Sequence, residues 1–293
     1  MGIFNVSGNR FDGRPPKFAG AILDATGETE RFLAMKQLFD IANKRYDDPA
    51  CTIEASEFTY ATKGAVCVLP NPADMYEQFD LDILFASNET IAGVPASTTK
   101  VMSLITGLPF IDNLMTKVTL VSGDIESGSG NYYSAGDILT IEDIMFNMLL
   151  PSSNTAAKTF AHHVGALILG NPSASVSDCV AAFVEEMNRR AGLIGCTEST
   201  FTTPSGLSTS NYSTANDLLR ITIAASSFPE ICRIWNKKTY ITHVGGNNSR
   251  DQSITTTVTN ETLESAYYIF GGKTGHITAT PAPNALVMIA QPL

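Results

Sequence analysis

The pattern of apolar and polar positions predicts an α+β protein with a sheet half and a helical half. Residues 18–24 form an almost wholly apolar run of strand length. Over 32–46 the apolar positions then recur every three or four residues, the spacing of a helix that is buried on one face. The helical period returns in the middle of the chain, and β-branched and aromatic residues return from Thr239 onward.

The other predicted elements follow the same two periods. Further strands are expected at 65–69, 81–86, 239–243, 254–259, 267–270 and 285–290. Helices are expected from about Ala96 and at 141–150, 155–169, 176–191 and 215–225, and residues 246–253 are typical of a loop. Without repeats or a long linker, the chain is expected to be a single domain over 1–293. Its sheet subdomain would be about 1–107 plus 227–293, and its helical subdomain about 108–226.

Composition and charge exclude several classes of protein. A chain of 293 residues with 44% hydrophobic content can bury a large core, and a net charge of −10 disfavours nucleic acid as a partner. No apolar run is long enough to span a bilayer, and residues 1–10 lack the features of a signal peptide. Five cysteines without a CxxC pair are typical of small core residues, and His162 and His163, adjacent on a helix, make a poor shared metal site.

A serine and a lysine stand one helical turn apart near the start of the helix predicted from Ala96. Ser97 precedes Lys100 by three positions, which places hydroxyl and amine on the same face. A serine becomes a nucleophile when a base takes its proton, and a lysine can be that base if its pKa is lowered. Taken alone the pattern is weak, because a capping serine followed by a surface lysine gives the same letters.

A second pattern lies in a short connection between two apolar helices, at Ser152, Ser153 and Asn154. A hydroxyl and an amide there can relay a proton and hold a substrate carbonyl, although serine and asparagine are also common helix N-caps. A serine-glycine-asparagine triplet also occurs at 129–131, in a glycine- and serine-rich run without flanking helices. We expect this earlier triplet to have no part in the chemistry.

The triplet Lys273–Thr274–Gly275, followed by His276, is the most specific pattern. It continues a predicted strand through Gly271 and Gly272, which leave room on one face. A lysine and a threonine hydroxyl beside a cleft suit a substrate carboxylate, and a backbone N–H at a strand edge suits an oxyanion. The alternative is an ordinary edge strand with a solvated lysine.

Serine-x-x-lysine, serine-x-asparagine and lysine-threonine-glycine, in this order, are the signature of the penicillin-recognising serine enzymes. The segments LFASNETIAGVPASTTKVMS, IEDIMFNMLLPSSNTAA, FTTPSGLSTSNYSTANDLLRIT and FGGKTGHIT resemble those of the serine-type D-alanyl-D-alanine carboxypeptidases, the low-molecular-mass penicillin-binding proteins. The resemblance runs from about Ala65 to the last residue. It implies a β-lactamase/transpeptidase-like fold, in which a five-stranded antiparallel sheet is flanked by helices and accompanied by an all-helical subdomain.

The resemblance implies an acyl-enzyme reaction on the D-Ala-D-Ala end of peptidoglycan stem peptides. Ser97 would be the nucleophile, Lys100 its base, and Ser152 the relay of a proton to the leaving amine. Asn154 would orient the substrate amide and help to hold Lys100. The triplet 273–275 would bind the terminal carboxylate, chiefly through its lysine and threonine.

The backbone N–H groups of Ser97 and His276 would form the oxyanion hole. The family implies acylation of Ser97 by β-lactam antibiotics, a reaction that needs no metal or cofactor, and an extracytoplasmic location. We expect a monomer.

Three alternatives stay open beside the carboxypeptidase. The same site can cut peptidoglycan cross-links as an endopeptidase. Fast β-lactam hydrolysis is less favoured, because the nearest candidate for a deacylating glutamate, Glu185, has the wrong spacing and lies in a helical pattern. The third alternative is a binding or sensing protein that is acylated and held with little turnover.

The two ends of the chain predict a circular permutation. In the family, two strands and a closing helix follow the lysine-threonine-glycine strand, whereas one strand follows Thr280 here. Residues 18–46 have the pattern of the missing strand and helix, and residues 7–17 that of a joining hairpin. We therefore expect strand 18–24 to pair antiparallel with strand 285–290. The alternatives are an unrelated N-terminal extension or the family's ordinary first helix.

Overall fold

Two antiparallel sheets and eight α-helices make up the residues described by the computed structural model, 16–69, 81–278 and 283–293. The strands are β1 (Phe18–Ala25), β2 (Lys63–Val68), β3 (Ile83–Ser87), β4 (Lys117–Thr119), β5 (Asp137–Thr140), β6 (Thr239–Gly246), β7 (Arg250–Thr255), β8 (Tyr267–His276) and β9 (Asn284–Pro292). The helices are α1 (Glu28–Asp47), α2 (Thr99–Gly107), α3 (Ile141–Leu149), α4 (Asn154–Leu169), α5 (Val176–Leu193), α6 (Ala215–Ala225), α7 (Pro229–Trp235) and α8 (Glu261–Glu264).

The larger sheet has five antiparallel strands in the order β3-β2-β1-β9-β8, as predicted. Its central strand is β1, in which Phe18 lies opposite Ala290 and Ile22 lies opposite Leu286. The expected pairing of 18–24 with 285–290 is therefore confirmed. The circular permutation itself stays a prediction, and most of the hairpin expected at 7–17 lies outside the described residues.

The strand β1 is apolar throughout because both faces of the sheet are covered. Ala21 and Leu23 belong to a hydrophobic core shared with the helices of the middle of the chain. Phe18 and Ile22 belong to a second core, which lies against α1. A strand that is buried on both sides has no polar face, so the alternating pattern of a half-exposed strand is lost.

The helix α1 packs on the second face of the sheet, as predicted. Its buried side includes Met35, Leu38 and Phe39. The close approach depends on Gly20, where a Cβ atom would lie 2.4 Å from the Met35 Sδ atom. Acidic residues in the first turn and basic residues in the last turn suit the helix dipole.

The region 108–226 is mostly helical, as expected, but it is not wholly so. It contributes β4 and β5 to a second sheet in the order β4-β5-β6-β7. The strands predicted at 239–243 and 254–259 lie in this sheet and not in the larger one. The segment 246–253, expected to be a loop, is a turn that passes into β7 at Arg250. Strands of three and four residues are too short to show a period of two.

Candidate active site

The predicted nucleophile lies in a tight turn that precedes α2. A single 3₁₀ turn over Ala96–Thr98 contains Ser97, and Ala96 has a φ of +49°, in the left-handed region that residues other than glycine rarely adopt. The strand β8 lies directly against this turn, since a Cβ atom on Gly275 would come within 2.6 Å of the Pro95 carbonyl oxygen. Close contact between β8 and the turn therefore brings two of the three motifs together.

The Lys100 amine is hydrogen-bonded to three oxygen atoms inside the protein. Its Nζ atom lies 2.8 Å from Ser97 Oγ, 2.9 Å from Asn154 Oδ1 and 2.7 Å from the Ser205 carbonyl oxygen. A neutral amine has two N–H donors and one lone pair, whereas neither of the last two oxygens can donate. A neutral Lys100 therefore donates to Asn154 and Ser205, and its lone pair accepts the Ser97 hydroxyl proton.

The environment of Lys100 favours this neutral form. Its side chain is fully buried, and burial lowers the pKa of Lys100 to about 7, while the negative charge of Glu126 opposes that shift. A lysine with this pKa is about half unprotonated near neutral pH, which is the state that a general base requires.

Lys273 and Ser152 form a second buried pair. Lys273 Nζ donates to Ser152 Oγ at 2.8 Å and to the Thr274 carbonyl oxygen at 2.8 Å. Burial lowers the pKa of Lys273 well below its ordinary value, and the positive charges of Lys100 and Arg31 lower it further. Ser152 has a φ of +64°, so both turns that carry a predicted catalytic serine contain a residue in the left-handed region.

Asn154 connects Lys100 to the preceding loop. Its Oδ1 atom accepts from Lys100, its Nδ2 atom donates to the Ser127 carbonyl oxygen at 2.8 Å, and its backbone N–H donates to the Ser129 carbonyl oxygen at 3.1 Å. Ser129 also lines the cleft described below. Tertiary contacts thus place Ser129 against the turn that contains Ser152, and the expectation that residues 129–131 have no part in the chemistry stays a prediction.

These elements enclose a cleft of about 310 Å³, lined by Glu28, Arg31, Ser97, Ser129, Ser152, Thr257, Thr274 and His276. Four of the eight predicted site residues line it, namely Ser97, Ser152, Thr274 and His276. The other four lie directly behind the lining and contact it through the bonds above or through β8, namely Lys100, Asn154, Lys273 and Gly275. The structure thus brings all eight together.

Arg31 is the main cleft residue that sequence reasoning missed. Its side chain is buried, its Nη1 atom donates to the Gly275 carbonyl oxygen at 3.0 Å, and burial lowers its pKa from the ordinary value. Thr257 adds a hydroxyl, with its Oγ1 atom 2.6 Å from Thr274 Oγ1. A signal for Arg31 was present, because it lies on the buried face of α1 in helical register with Met35 and Leu38.

Comparison with known proteins identifies the family of the chain. A family model described as D-alanyl-D-alanine carboxypeptidase matches residues 77–292, which is most of the chain, and the chain belongs to this family. The match begins after β1, α1 and β2. The D-alanyl-D-alanine carboxypeptidase DacB2 of Mycobacterium tuberculosis is 32% identical over 58% of this chain and 56% of its own length. A D-alanyl-D-alanine endopeptidase of Escherichia coli is 29% identical over 48% of this chain and 41% of its own length.

Solved structures of the same kind share the fold. A D-alanyl-D-alanine carboxypeptidase structure from Mycobacterium tuberculosis has a TM-score of 0.57 at 27% identity, over 72% of this chain and 78% of that chain. The Streptomyces K15 DD-transpeptidase has a TM-score of 0.57 at 19% identity, over 72% of this chain and 84% of that chain. The chain spans about half the length of the curated relatives that it matches. Among the described residues, no helix combines the length and apolar character needed to span a bilayer.

Proposed function

We propose that the protein is a serine DD-carboxypeptidase that removes the terminal D-alanine from peptidoglycan stem peptides through an acyl-enzyme on Ser97. The observation that carries the proposal is the 2.8 Å contact between Ser97 Oγ and the buried Lys100 amine. A lysine held in this way can take the serine proton at neutral pH, and few structural roles require such a pair beside a cleft.

Acylation would begin with attack of Ser97 Oγ on the carbonyl carbon between the two D-alanines. The Ser97 proton moves to Lys100, and the carbonyl oxygen becomes an oxyanion facing the backbone N–H groups of Ser97 and His276. The carbon–nitrogen bond then breaks, and the leaving amine takes its proton from Lys100 through the Ser152 hydroxyl. Lys273 supports the relay by donating to Ser152.

Recognition of the terminal carboxylate would fall chiefly to Arg31 and Thr274. Both line the cleft, whereas the Lys273 amine is buried behind it and bonded to Ser152 and Thr274. A guanidinium offers several donors in a plane that matches a carboxylate. Arg31 would therefore make the direct ionic contact, and Lys273 would act through Ser152.

Release of the acyl group requires a water molecule, which would give its proton to Lys100. The structure supports slow turnover of β-lactams at this step, since Glu185 lies on α5 and lines a separate depression together with Lys158. β-Lactams, which imitate the substrate, would acylate Ser97 and be released slowly. We place the protein outside the cytoplasmic membrane, because its substrate lies there, and we expect it to be a monomer.

Endopeptidase action is the second candidate. The E. coli relative and a Pseudomonas aeruginosa relative, 28% identical over 50% of this chain, are both D-alanyl-D-alanine endopeptidases. Cleavage of a cross-linked muropeptide dimer, compared with release of D-alanine from a monomeric pentapeptide, distinguishes the two activities. We expect faster release from the pentapeptide.

Labelling with a fluorescent penicillin tests the proposal most directly. The native protein should take up one label per molecule, and Ser97→Ala should take up none. Ser129→Ala, which alters another serine in the lining of the same cleft, is the matched control and should still be labelled. Release of D-alanine by the native protein then separates an enzyme from a sensor.

Two results would contradict the proposal. A native protein that takes up no label excludes a penicillin-reactive site, and label that persists in Ser97→Ala places the nucleophile elsewhere. Labelling without D-alanine release would favour the low-turnover sensing protein.

A further inference from the structure

The Glu126 side chain is a charged group near the site to which the steps above give no role. One oxygen of its carboxylate, Oε2, is shielded from solvent and has no hydrogen-bond partner among the described residues. A buried carboxylate oxygen without a partner is costly, so a structural explanation by hydrogen bonding does not account for it.

The backbone of Glu126 is fixed beside the Lys100 site. The Thr155 hydroxyl accepts from the Glu126 N–H at 3.0 Å and donates to the Glu126 carbonyl at 3.1 Å. Thr155 follows Asn154, whose side chain holds Lys100, and the carbonyl of Ser127 accepts from that same side chain. The Glu126 backbone is thereby fixed beside the residues that hold Lys100, and the negative charge of its carboxylate acts on the lysine amine.

Two buried charges near Lys100 are positive, those of Lys273 and Arg31. Lys273 on β8 is buried and lies close enough for the charge of Lys100 to act on it, and Arg31 on α1 acts on Lys273 in turn. Glu28, also on α1, is exposed at the cleft and interacts with Arg31. When Ser97 attacks, its proton makes Lys100 an ammonium ion inside this positively charged, buried environment. That charge appears in the transition state and must be stabilised there.

We propose that Glu126 is a positioning residue for the Ser97–Lys100 pair, whose carboxylate stabilises the ammonium that forms on Lys100 as Ser97 is acylated. The inference rests on the proposed function, because it concerns the same proton transfer. Glu126 itself neither touches the substrate nor receives the proton. It keeps Lys100 a strong enough base for the serine hydroxyl.

The pH dependence of acylation by a chromogenic β-lactam tests this role. Native protein, Glu126→Gln and Glu126→Ala are compared between pH 5 and pH 9 as the second-order acylation rate, with thermal unfolding to show that each is folded. Both variants should lower the plateau rate about threefold and move the acid limb of the pH profile to lower pH by about half a pH unit, because losing the negative charge weakens the base.

Two further variants separate charge from loop structure. Thr155→Val removes both hydrogen bonds to the Glu126 backbone but keeps the carboxylate, so it should move the acid limb by less than Glu126→Gln does. Glu185→Gln removes a carboxylate on α5, away from the cleft, and should match the native profile.

An acid limb that stays at the native pH in both Glu126 variants, with native acylation intact, overturns the role of Glu126 and leaves the proposed function standing. A native protein that is not acylated at all overturns the proposed function instead. A Thr155→Val variant that moves the limb as far as Glu126→Gln would also contradict the proposal, since the effect would then belong to the loop.

Discussion

Two regions of the molecule bury side chains of opposite character. In β1 and α1 the buried side chains are almost all apolar, with Arg31 as the exception that reaches the cleft. In the two turns of the catalytic motifs and the start of the following helices, the buried residues are mostly polar, namely Ser97, Thr98, Thr99, Lys100, Ser152, Ser153, Asn154 and Thr155. The first region forms the structural framework, and the second carries catalytic side chains.

The difference has energetic consequences. Each large apolar side chain that is buried in the framework contributes about 1.5–3 kcal/mol to folding. The catalytic site holds two buried lysines with lowered pKa values, Lys100 on α2 and Lys273 on β8. Its two turns have residues in the left-handed region at Ala96 and Ser152, each of which costs on the order of 1–3 kcal/mol. Substitutions in the framework should therefore affect stability, and substitutions in the turns should affect activity.

Lys100→Met should give the largest effect, and it should fall on activity. Without the base, β-lactam acylation and D-alanine release should drop about 1,000-fold. The temperature of unfolding should change by only a few degrees, because the lost hydrogen bonds to Asn154 and Ser205 are offset by removal of a buried amine. Acylation kinetics and a thermal melt measure both. An acylation rate within tenfold of the native value would show that another group is the base.

Arg31→Ala should have the second largest effect. It tests the one residue of the framework that lies in the site. The kcat/KM for a peptide with a free terminal carboxylate should fall about 100-fold, mainly through KM, because a charged contact is lost. For a peptide with an amidated terminus, kcat/KM should be nearly the same in Arg31→Ala and in the native protein, since this peptide offers no carboxylate. Lys36→Ala, on the same helix in an exposed pair with Asp40, is the control. Equal losses for both peptides would assign Arg31 a structural role.

Much of the site could be predicted because its catalytic residues occur in short local sequence motifs. Ser97 and Lys100 are three positions apart, and Lys273 and Thr274 are adjacent, so each pair keeps its chemistry wherever the chain places it. The central strand could be predicted as well, because a run that is buried on both faces is conspicuous. The helix α1 could be predicted from the helical period of its apolar residues.

The rest depends on contacts between distant parts of the chain. Arg31 donates to the Gly275 carbonyl, 244 positions away, and Lys100 donates to the carbonyl of Ser205, 105 positions away. The residue type does not show which side chain a backbone carbonyl will accept from, and an arginine on a helix is usually solvated. The place of Ser129 in the lining of the cleft could not be predicted for the same reason, because it comes from packing against Asn154.

Gly20→Val tests the framework side of the comparison. The added side chain would overlap Met35 and Phe39 and should lower the free energy of unfolding by about 2–3 kcal/mol. The fraction that stays folded should acylate at the native rate, because Gly20 lies in the core away from the cleft. Gly192→Ala, in α5 with open space around it, is the control and should raise stability by about 0.5 kcal/mol. Chemical denaturation measures both, and equal stability of the two variants would contradict the packing of α1 on β1.

The smallest expected effect is a pH dependence of stability that belongs to Lys100. Burial lowers its pKa in the folded protein to about 7, below the ordinary value of 10.5. Above pH 7 the unfolded chain therefore binds a proton that the folded protein lacks, so stability rises with pH through this window. Native protein should gain about 1 kcal/mol over Lys100→Met between pH 7.5 and pH 8.5. The other titrating groups are shared by both proteins and cancel in the difference, except Lys273, whose pKa the charge of Lys100 lowers. Parallel stability curves would mean that Lys100 stays protonated in the folded protein, and the general-base role would lose its physical basis.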